Sequence, residues 1–435
     1  MKAGFAKQIV TPRAGVPMEG LSQKVPSASV HDDLYVRVLF LQHGKQTQVI
    51  ISFDLLFMER FQVDRIKGAI SNLTGLSSAE VLVNFTHTHA GPRITRWAYS
   101  EGPEVAYIDY LEVAACNAVL AARGEVVEVT LEAGCTNTDL PVNRRLLNSE
   151  GKAEWRVNRD GPVVNDLPFC IFRAVDSSSV VAALFSVACH PSMMHEPVIS
   201  AEFPGAAVKK LNESLRTEGA IFLQGAAGDA KPRPAAGDTW WGKSTWEQMS
   251  EVGEHLAHLV VEGGKSSRRV VPALQTELVE VLWRLLPPPS RVELAELLAS
   301  SSTEANRKAW ARDMLAILDL LGDLPSAVGV LLQVITLGED LRIVAIEGEV
   351  LARLGQRLLA VMPPGINFLL GYSNGCALYL PDRCDVSAGG YEVDSFWEYH
   401  RASGPAPDCD EPLVEAVRVL CSRASGEKPQ PDYKK

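Results

Sequence analysis

Val81-Leu82-Val83-Asn84-Phe85-Thr86-His87-Thr88-His89-Ala90-Gly91-Pro92 is the stretch on which the reading of this chain turns. Its first five residues are mostly apolar and predict a short buried strand. The THTH that follows predicts that the strand ends where the chemistry begins. Side chains alternate along a strand, so carrying the strand through the motif puts His87 and His89 on one face as near neighbours. Gly91-Pro92 then opens a turn at which substrate could approach. An HxH pair at a strand end can set two imidazoles on one metal, or one on the metal and one beside it, because neutral imidazole is a common zinc ligand. The plainer alternative is two hydrogen-bonded loop histidines. With nine histidines in 435 residues, a Thr-flanked pair fits that alternative poorly.

Outward from this stretch, strands dominate the first half. Tyr35–Gln42 and Gln48–Asp54 flank turn-like residues and predict a hairpin, and a helical spacing over Tyr107–Arg123 stops at Gly124. Further strands are predicted at Val127–Ala133, Pro168–Ala174, Val180–Ala188 and Ala220–Leu223, with a helix beginning near Gly205. The second half gives a helical pattern over Glu251–Val261, strands at Gly329–Leu337 and Leu341–Ile346, a helix from about Glu349, and a strand at Asn367–Gly371. Strands alternating with helices indicate an α/β fold, a mixed β-sheet core with flanking helices. We read one domain over residues 1–424. It carries a helical insertion at about 287–325, entered through Pro287, Pro288 and Pro289, and a polar tail at 425–435 expected to be disordered.

Composition narrows the function. The 42 Lys+Arg against 53 Asp+Glu give a net charge of −11, which argues against nucleic acid as a partner. No uninterrupted apolar run reaches the roughly 18 residues of a membrane span, so no transmembrane segment is expected. The opening MKAGFAKQIVTPRAGVP has no apolar core of the signal-peptide kind. The eight cysteines show no CxxC spacing and sit mostly in apolar segments, as expected of a reduced, cytoplasmic protein. A small-molecule enzyme fits all of this, and a homo-oligomer is compatible with it.

Other segments carry candidate chemistry. His190, in Val187-Ala188-Cys189-His190-Pro191-Ser192, ends another predicted strand and is a candidate third imidazole; His195 is weaker, and His43, His255 and His258 read as solvated. Gln224-Gly225-Ala226-Ala227-Gly228-Asp229-Ala230-Lys231-Pro232 reads as a tight small-residue turn carrying one functional Asp or Lys, and its glycine spacing matches no phosphate loop. Glu349 lies between a strand and a helix, favoured there by the helix dipole and equally placed to serve as a hard metal ligand. Gly371-Tyr372-Ser373-Asn374-Gly375 fits GxSxG, with Asp385 or Asp394 and His400 downstream. CALYLPDRCD follows instead of a helix, so the nucleophile elbow fails its context. A serine esterase using Ser373 and His400 is kept as an alternative.

Taken in order, AKQIVTPRAGVPMEG, HDDLYVRVLFL, FTHTHAGP, VNRR, ACHPS, QGAAGDAKP, GEV and GYSNGCALYLPDRCDVSAGGYEV resemble the N-terminal catalytic domain of the neutral/alkaline (non-lysosomal) ceramidase family and its shorter bacterial relatives, over about residues 4–398. The resemblance implies Zn2+ bound by His87, His190, Glu349 and Tyr379. It places Tyr391 beside Tyr379, twelve residues on as in the family, His89 next to the metal's water, and Arg144 facing the substrate. It further implies a metal-activated water attacking an amide, with Tyr391 and Arg144 stabilising the oxyanion, His89 moving the proton to the leaving group and Asp229 orienting the ligands.

The chain departs from the family in one telling place. Ceramidases have a Ser in GDVSP where this chain has Lys231 in GDAKP, so an acyl-serine route through that position is closed. The sequence also ends soon after the catalytic region. We therefore expect a small-molecule N-acyl substrate more polar than ceramide, with Lys231 and the segment of Trp240, Trp241 and Trp246 shaping the choice. An ester or lactone as substrate, and a non-catalytic ligand-binding relative, stay open at this point.

Overall fold

A computed structural model describes residues 1–20, 25–100 and 105–424; the tail at 425–435 lies outside the described residues. The Tyr35–His43 and Gln46–Phe53 strands form the predicted hairpin. They belong to a nine-stranded mixed sheet ordered 220–224, 180–187, 166–174, 127–137, 2–9, 35–43, 46–53, 81–85, with 268–270 added beside 127–137. A second, four-stranded sheet runs 272–284, 327–338, 341–346, 366–370.

Both faces of the large sheet are buried along 35–43, 46–53, 81–85, 166–174, 180–187 and 220–224, which is why those strands read as near-continuous apolar runs, whereas 2–9 and 127–137 are partly exposed. Along 35–43, Val36, Val38 and Phe40 pack outward under the helices Arg60–Thr74 and Val105–Gly124, whereas Leu39 and Leu41 point inward. The inward set joins Ile50, Leu82, Leu184 and Ile221 with Ile343 and Phe368 of the second sheet, so the two sheets share one inner core. A third cluster lies under the helices Glu202–Leu215 and Trp246–Gly264. By length and composition the Val105–Gly124 helix could cross a membrane. Its Ile108, Leu111, Ala115 and Val119 are instead buried against the sheet, as in a core helix.

The predicted insertion forms two helices, Arg291–Ala299 and Ala305–Leu321, which pack with Phe396 and Trp397 in a separate small cluster. One expectation shifts. The helix expected from about Glu349 begins at Ala352, because Glu349–Val350 pairs instead as a short parallel bridge with Tyr379–Leu380.

Within the two large sheets three strand pairs are parallel: 46–53 with 81–85, 180–187 with 220–224, and 341–346 with 366–370. Parallel pairs aim their carboxyl ends the same way, and α/β sheets place ligands at those ends. Asn84 ties three of them together. Its carbonyl accepts from Gln224 N at 2.9 Å, and its amide donates to Gly371 O and Ser373 Oγ at 3.0 Å each.

Candidate active site

The loops leaving those strand ends carry His87 and His89, His190, Asp229, Glu349 and Tyr372. His87 and His89 do meet, but not by strand alternation. The strand stops at Phe85, and His87 turns into the left-handed region at φ 65°, a costly conformation for a residue with a Cβ. Leu55 O accepts from the His87 N–H at 2.9 Å, and Pro191 O accepts from that of His89 at 3.0 Å. The ring centroids of His87 lie 5.0 Å from His89 and 4.8 Å from His190. One nitrogen of each of the three rings lies within 4.8 Å of the other two.

The protonation of these rings follows from their backbone partners. His87 Nδ1 lies 2.8 Å from Leu56 O, His89 Nδ1 2.9 Å from Gly20 O, and His190 Nδ1 2.6 Å from Ala227 O. A carbonyl only accepts, so each Nδ1 carries the proton and each Nε2 keeps a lone pair. The Nε2 atoms of His89 and His190 are buried without a hydrogen-bond partner. Burial pushes His87 and His190 well below the ordinary histidine range and His89 down to about 4, so all three rings rest neutral. Gly20 has φ 84°, and a Cβ there would come within 3.0 Å of the His89 ring, so glycine is required at the carbonyl that orients it.

Glu349 supplies the charge. Its Oε2 lies 3.6 Å from His87 Nε2 and 3.3 Å from His190 Nε2. Tyr372 donates to Oε2 at 3.2 Å and Tyr399 to Oε1 at 2.5 Å. Two orphaned lone pairs, a third imidazole nitrogen and a carboxylate held by two phenols form a donor set that fits a divalent cation.

Tyr379 is placed beside Glu349 by the parallel bridge, and its Oη accepts from Arg144 Nη2 at 3.0 Å. Its ring meets those of Tyr391 at 5.8 Å and Tyr399 at 5.7 Å. Burial raises both Tyr379 and Tyr391, so each rests as a phenol. Arg144 also donates from Nε to Glu392 at 2.7 Å and lies over the Trp155 ring at 4.0 Å. The hydroxyl of Tyr391 donates to Glu398 at 3.0 Å.

Asp229 acts as a brace. Its carboxylate accepts from Ala352 N and from Asn143 Nδ2, at 2.7 Å each, tying the helix after Glu349 to the strand of Arg144. The small residues before it serve packing, since a Cβ on Gly228 would lie 2.7 Å from Glu349 O. Lys231 Nζ sits 5.9 Å from the Trp155 ring and 5.5 Å from the Trp241 ring.

Other candidates fall elsewhere. Ser373 is fully buried, accepts from Asn84 and donates to Gly371 O, while His400 rests on Arg96 O and against Tyr99. The serine triad is therefore not assembled, and GYSNG contributes its tyrosine instead. Of the three tryptophans expected to shape specificity, Trp246 stacks on His31 and Trp240 on Arg156, leaving Trp241 at the site. Sequence reasoning missed Tyr372, Tyr399, Glu392 and Trp155. Only Tyr372 carried a signal, its place in the GYSNG motif, whose Tyr372 and Asn374 both take left-handed φ in the structure.

No protein-family model and no curated protein matches the chain. Solved structures do. Neutral ceramidase from Pseudomonas aeruginosa superposes with a TM-score of 0.75 at 16% identity, covering 99% of this chain and 75% of that one. A ceramidase complexed with C2 gives 0.74 at 16%, covering 99% and 77%. The chain thus has the fold of neutral ceramidase along nearly its whole length, in agreement with the resemblance read from its motifs and with the expected mixed-sheet α/β class.

Proposed function

We propose that this chain is a zinc-dependent hydrolase of the ceramidase type, cleaving the amide bond of an N-acyl small molecule more polar than ceramide. The observation that carries the reading is the convergence of three neutral imidazoles, each with its lone pair freed by a backbone carbonyl, two of them beside the Glu349 carboxylate. His87, His190 and Glu349 would hold the ion, with Tyr379 as a fourth ligand. A divalent cation there supplies Lewis acidity toward a carbonyl and activates water near neutral pH.

The chain's own residues account for the rest. Tyr372 and Tyr399 fix both oxygens of Glu349. Asp229 keeps the helix after Glu349 and the Arg144 strand in register. The Arg144 guanidinium, held by Glu392, offers N–H groups to negative charge developing on a carbonyl oxygen. His89 is the least buried ring of the three and keeps a free Nε2 with which to carry a proton to the leaving nitrogen. Tyr391 is a weaker oxyanion donor than its sequence position implied, because its proton is directed at Glu398.

The fold shared with ceramidases supports an amide bond, and the Lys231 substitution supports a polar substrate. A cytoplasmic location belongs to the same proposal, supported by eight cysteines that are all unpaired. The test is elemental mass spectrometry of the purified chain beside a His87→Ala/Glu349→Ala variant. About one zinc per chain, lost in the variant, is the expected result; no metal in either protein overturns the mechanism.

A further inference from the structure

Two cations stand on one face of the small sheet formed by 153–158, 141–147 and 230–232. Lys231 pairs with Val142, and Arg144, two residues along, shares its face. Their electrostatic situations differ. Arg144 is matched by Glu392, which it meets at 2.7 Å. Among the described residues Lys231 has neither a hydrogen-bond acceptor nor a carboxylate at ion-pair distance, although it is only 6% exposed. The carboxyl that acts on it most, Glu202, accepts from Met193 N, and burial pushes it up to about 8, so it brings little countercharge at neutral pH. Lys231 itself is lowered to about 8 by burial and by Arg144, and stays largely protonated at pH 7.

A buried ammonium with no countercharge is costly unless a partner arrives. The surroundings fit one that does. Trp155, 39% exposed, and the half-buried Trp241 flank Lys231 where solvent reaches the site. Ala230 O, one residue from Lys231, accepts from the His190 N–H at 2.9 Å, so the lysine stands beside the imidazole cluster, where the His89 ring, 5.4 Å from that of His190, would meet the leaving nitrogen.

We infer that Lys231, between Trp155 and Trp241, is a carboxylate subsite, and that the substrate is an N-acyl amino acid whose carboxylate lies on the amine side of the scissile bond. The inference rests on the hydrolase reading above. Water adds to the acyl carbon as the C–N bond breaks. One fatty carboxylate and one zwitterionic amino acid leave, and the carboxylate on Lys231 is unchanged throughout.

The experiment compares N-decanoylglycine, N-decanoylglycinamide and the monodecylamide of succinic acid, whose carboxylate lies on the acyl side. Zinc-replete wild type, Lys231→Gln and Lys231→Arg are assayed for kcat/KM, and binding is followed independently through tryptophan fluorescence. We expect N-decanoylglycine to exceed the glycinamide by about tenfold to a hundredfold, the range of a hydrogen bond to a charged group. Lys231→Gln should bring that ratio close to one and Lys231→Arg keep part of it. An equal ratio in wild type, an unchanged ratio in Lys231→Gln, or a preference for the succinic monoamide overturns the subsite while leaving the hydrolase standing. Lys231-dependent binding of N-decanoylglycine without turnover of any amide keeps the subsite and removes the hydrolase.

Discussion

The two halves of the site are built on opposite electrostatic plans. On one side, His87, His89 and His190 are neutral and face a single carboxylate, Glu349, whose oxygens are both held by tyrosines. On the other, Arg144 and Lys231 crowd positive charge against Trp155, and only Arg144 has a carboxylate to answer it. The first half asks for a cation and the second for an anion. A scissile group between them would have its carbonyl beside the metal ligands and its charged substituent beside the lysine.

The difference breaks most sharply at Glu349. Glu349→Gln keeps the shape and a carbonyl for the tyrosine donors but removes the carboxylate that faces His87 and His190. We expect zinc content to fall to background and kcat to drop by about 10³-fold or more, equivalent to the several kcal/mol a Lewis-acid ion contributes. Full activity with retained zinc would show that the histidines alone define the metal half.

Next comes the support of that carboxylate. Tyr399→Phe removes the hydrogen bond to Glu349 Oε1 and leaves the ring packed on Phe57 and Tyr379. Zinc affinity, measured by competition with a chromophoric chelator, should weaken by about 10–100-fold, as for other residues that orient metal ligands. A matching Arg144→Gln variant, which removes support only from Tyr379 and leaves His87, His190 and Glu349 as they were, should weaken zinc less than Tyr399→Phe does and lower kcat by about 10²–10³, the usual cost of one oxyanion donor. If both variants lose zinc alike, the two halves are one unit and the comparison fails.

The cationic half has a stability signature of its own. The native value of Lys231, about 8, lies below its ordinary 10.5, so the folded chain gives up this proton first. Between pH 8 and 10.5 the unfolded chain holds more protons and stability rises with pH; below pH 8 the full cost of the buried charge is present. Lys231→Met should therefore stabilise the protein at pH 7, by at most about 3 kcal/mol, with the gain shrinking toward pH 10.5. Urea unfolding of both proteins at pH 7 and pH 10 reads this directly. A Lys231→Met variant that is less stable at pH 7 would mean that the lysine already has its countercharge.

How much of this was legible in the sequence follows from what each residue does. The 35–53 hairpin and the THTH motif showed themselves because alternation and a histidine pair are side-chain patterns. The orienting groups did not, since Leu56, Gly20 and Ala227 act through their carbonyls, which every residue type possesses. Tyr372 and Tyr399 were hidden for another reason: a buried tyrosine in an apolar context reads as core until its hydroxyl is seen to meet Glu349. Glu349 itself was found, but with a helix in place of the parallel bridge that sets it beside Tyr379, because two-residue pairings leave no period to detect. Trp155 is brought to Lys231 by its own hairpin, a long-range placement that no local pattern encodes.

The smallest expected effect concerns the motif that pointed elsewhere. Ser373 Oγ donates to Gly371 O at 2.8 Å and accepts from Asn84 Nδ2 at 3.0 Å, with no hydrogen bond to a histidine among the described residues. Its hydroxyl belongs to the knot that Asn84 makes among three strand ends. Ser373→Ala should cost about 1 kcal/mol of stability, the net worth of a buried hydrogen bond, because Asn84 Nδ2 still reaches Gly371 O. With the strand ends held, kcat/KM on any amide or ester should stay within about threefold, or under 0.7 kcal/mol of transition-state stabilisation. Abolished turnover in a folded, zinc-loaded Ser373→Ala protein would overturn the division of the site into a metal half and an anion half. The nucleophile would then be the serine, and the histidine cluster a structural centre.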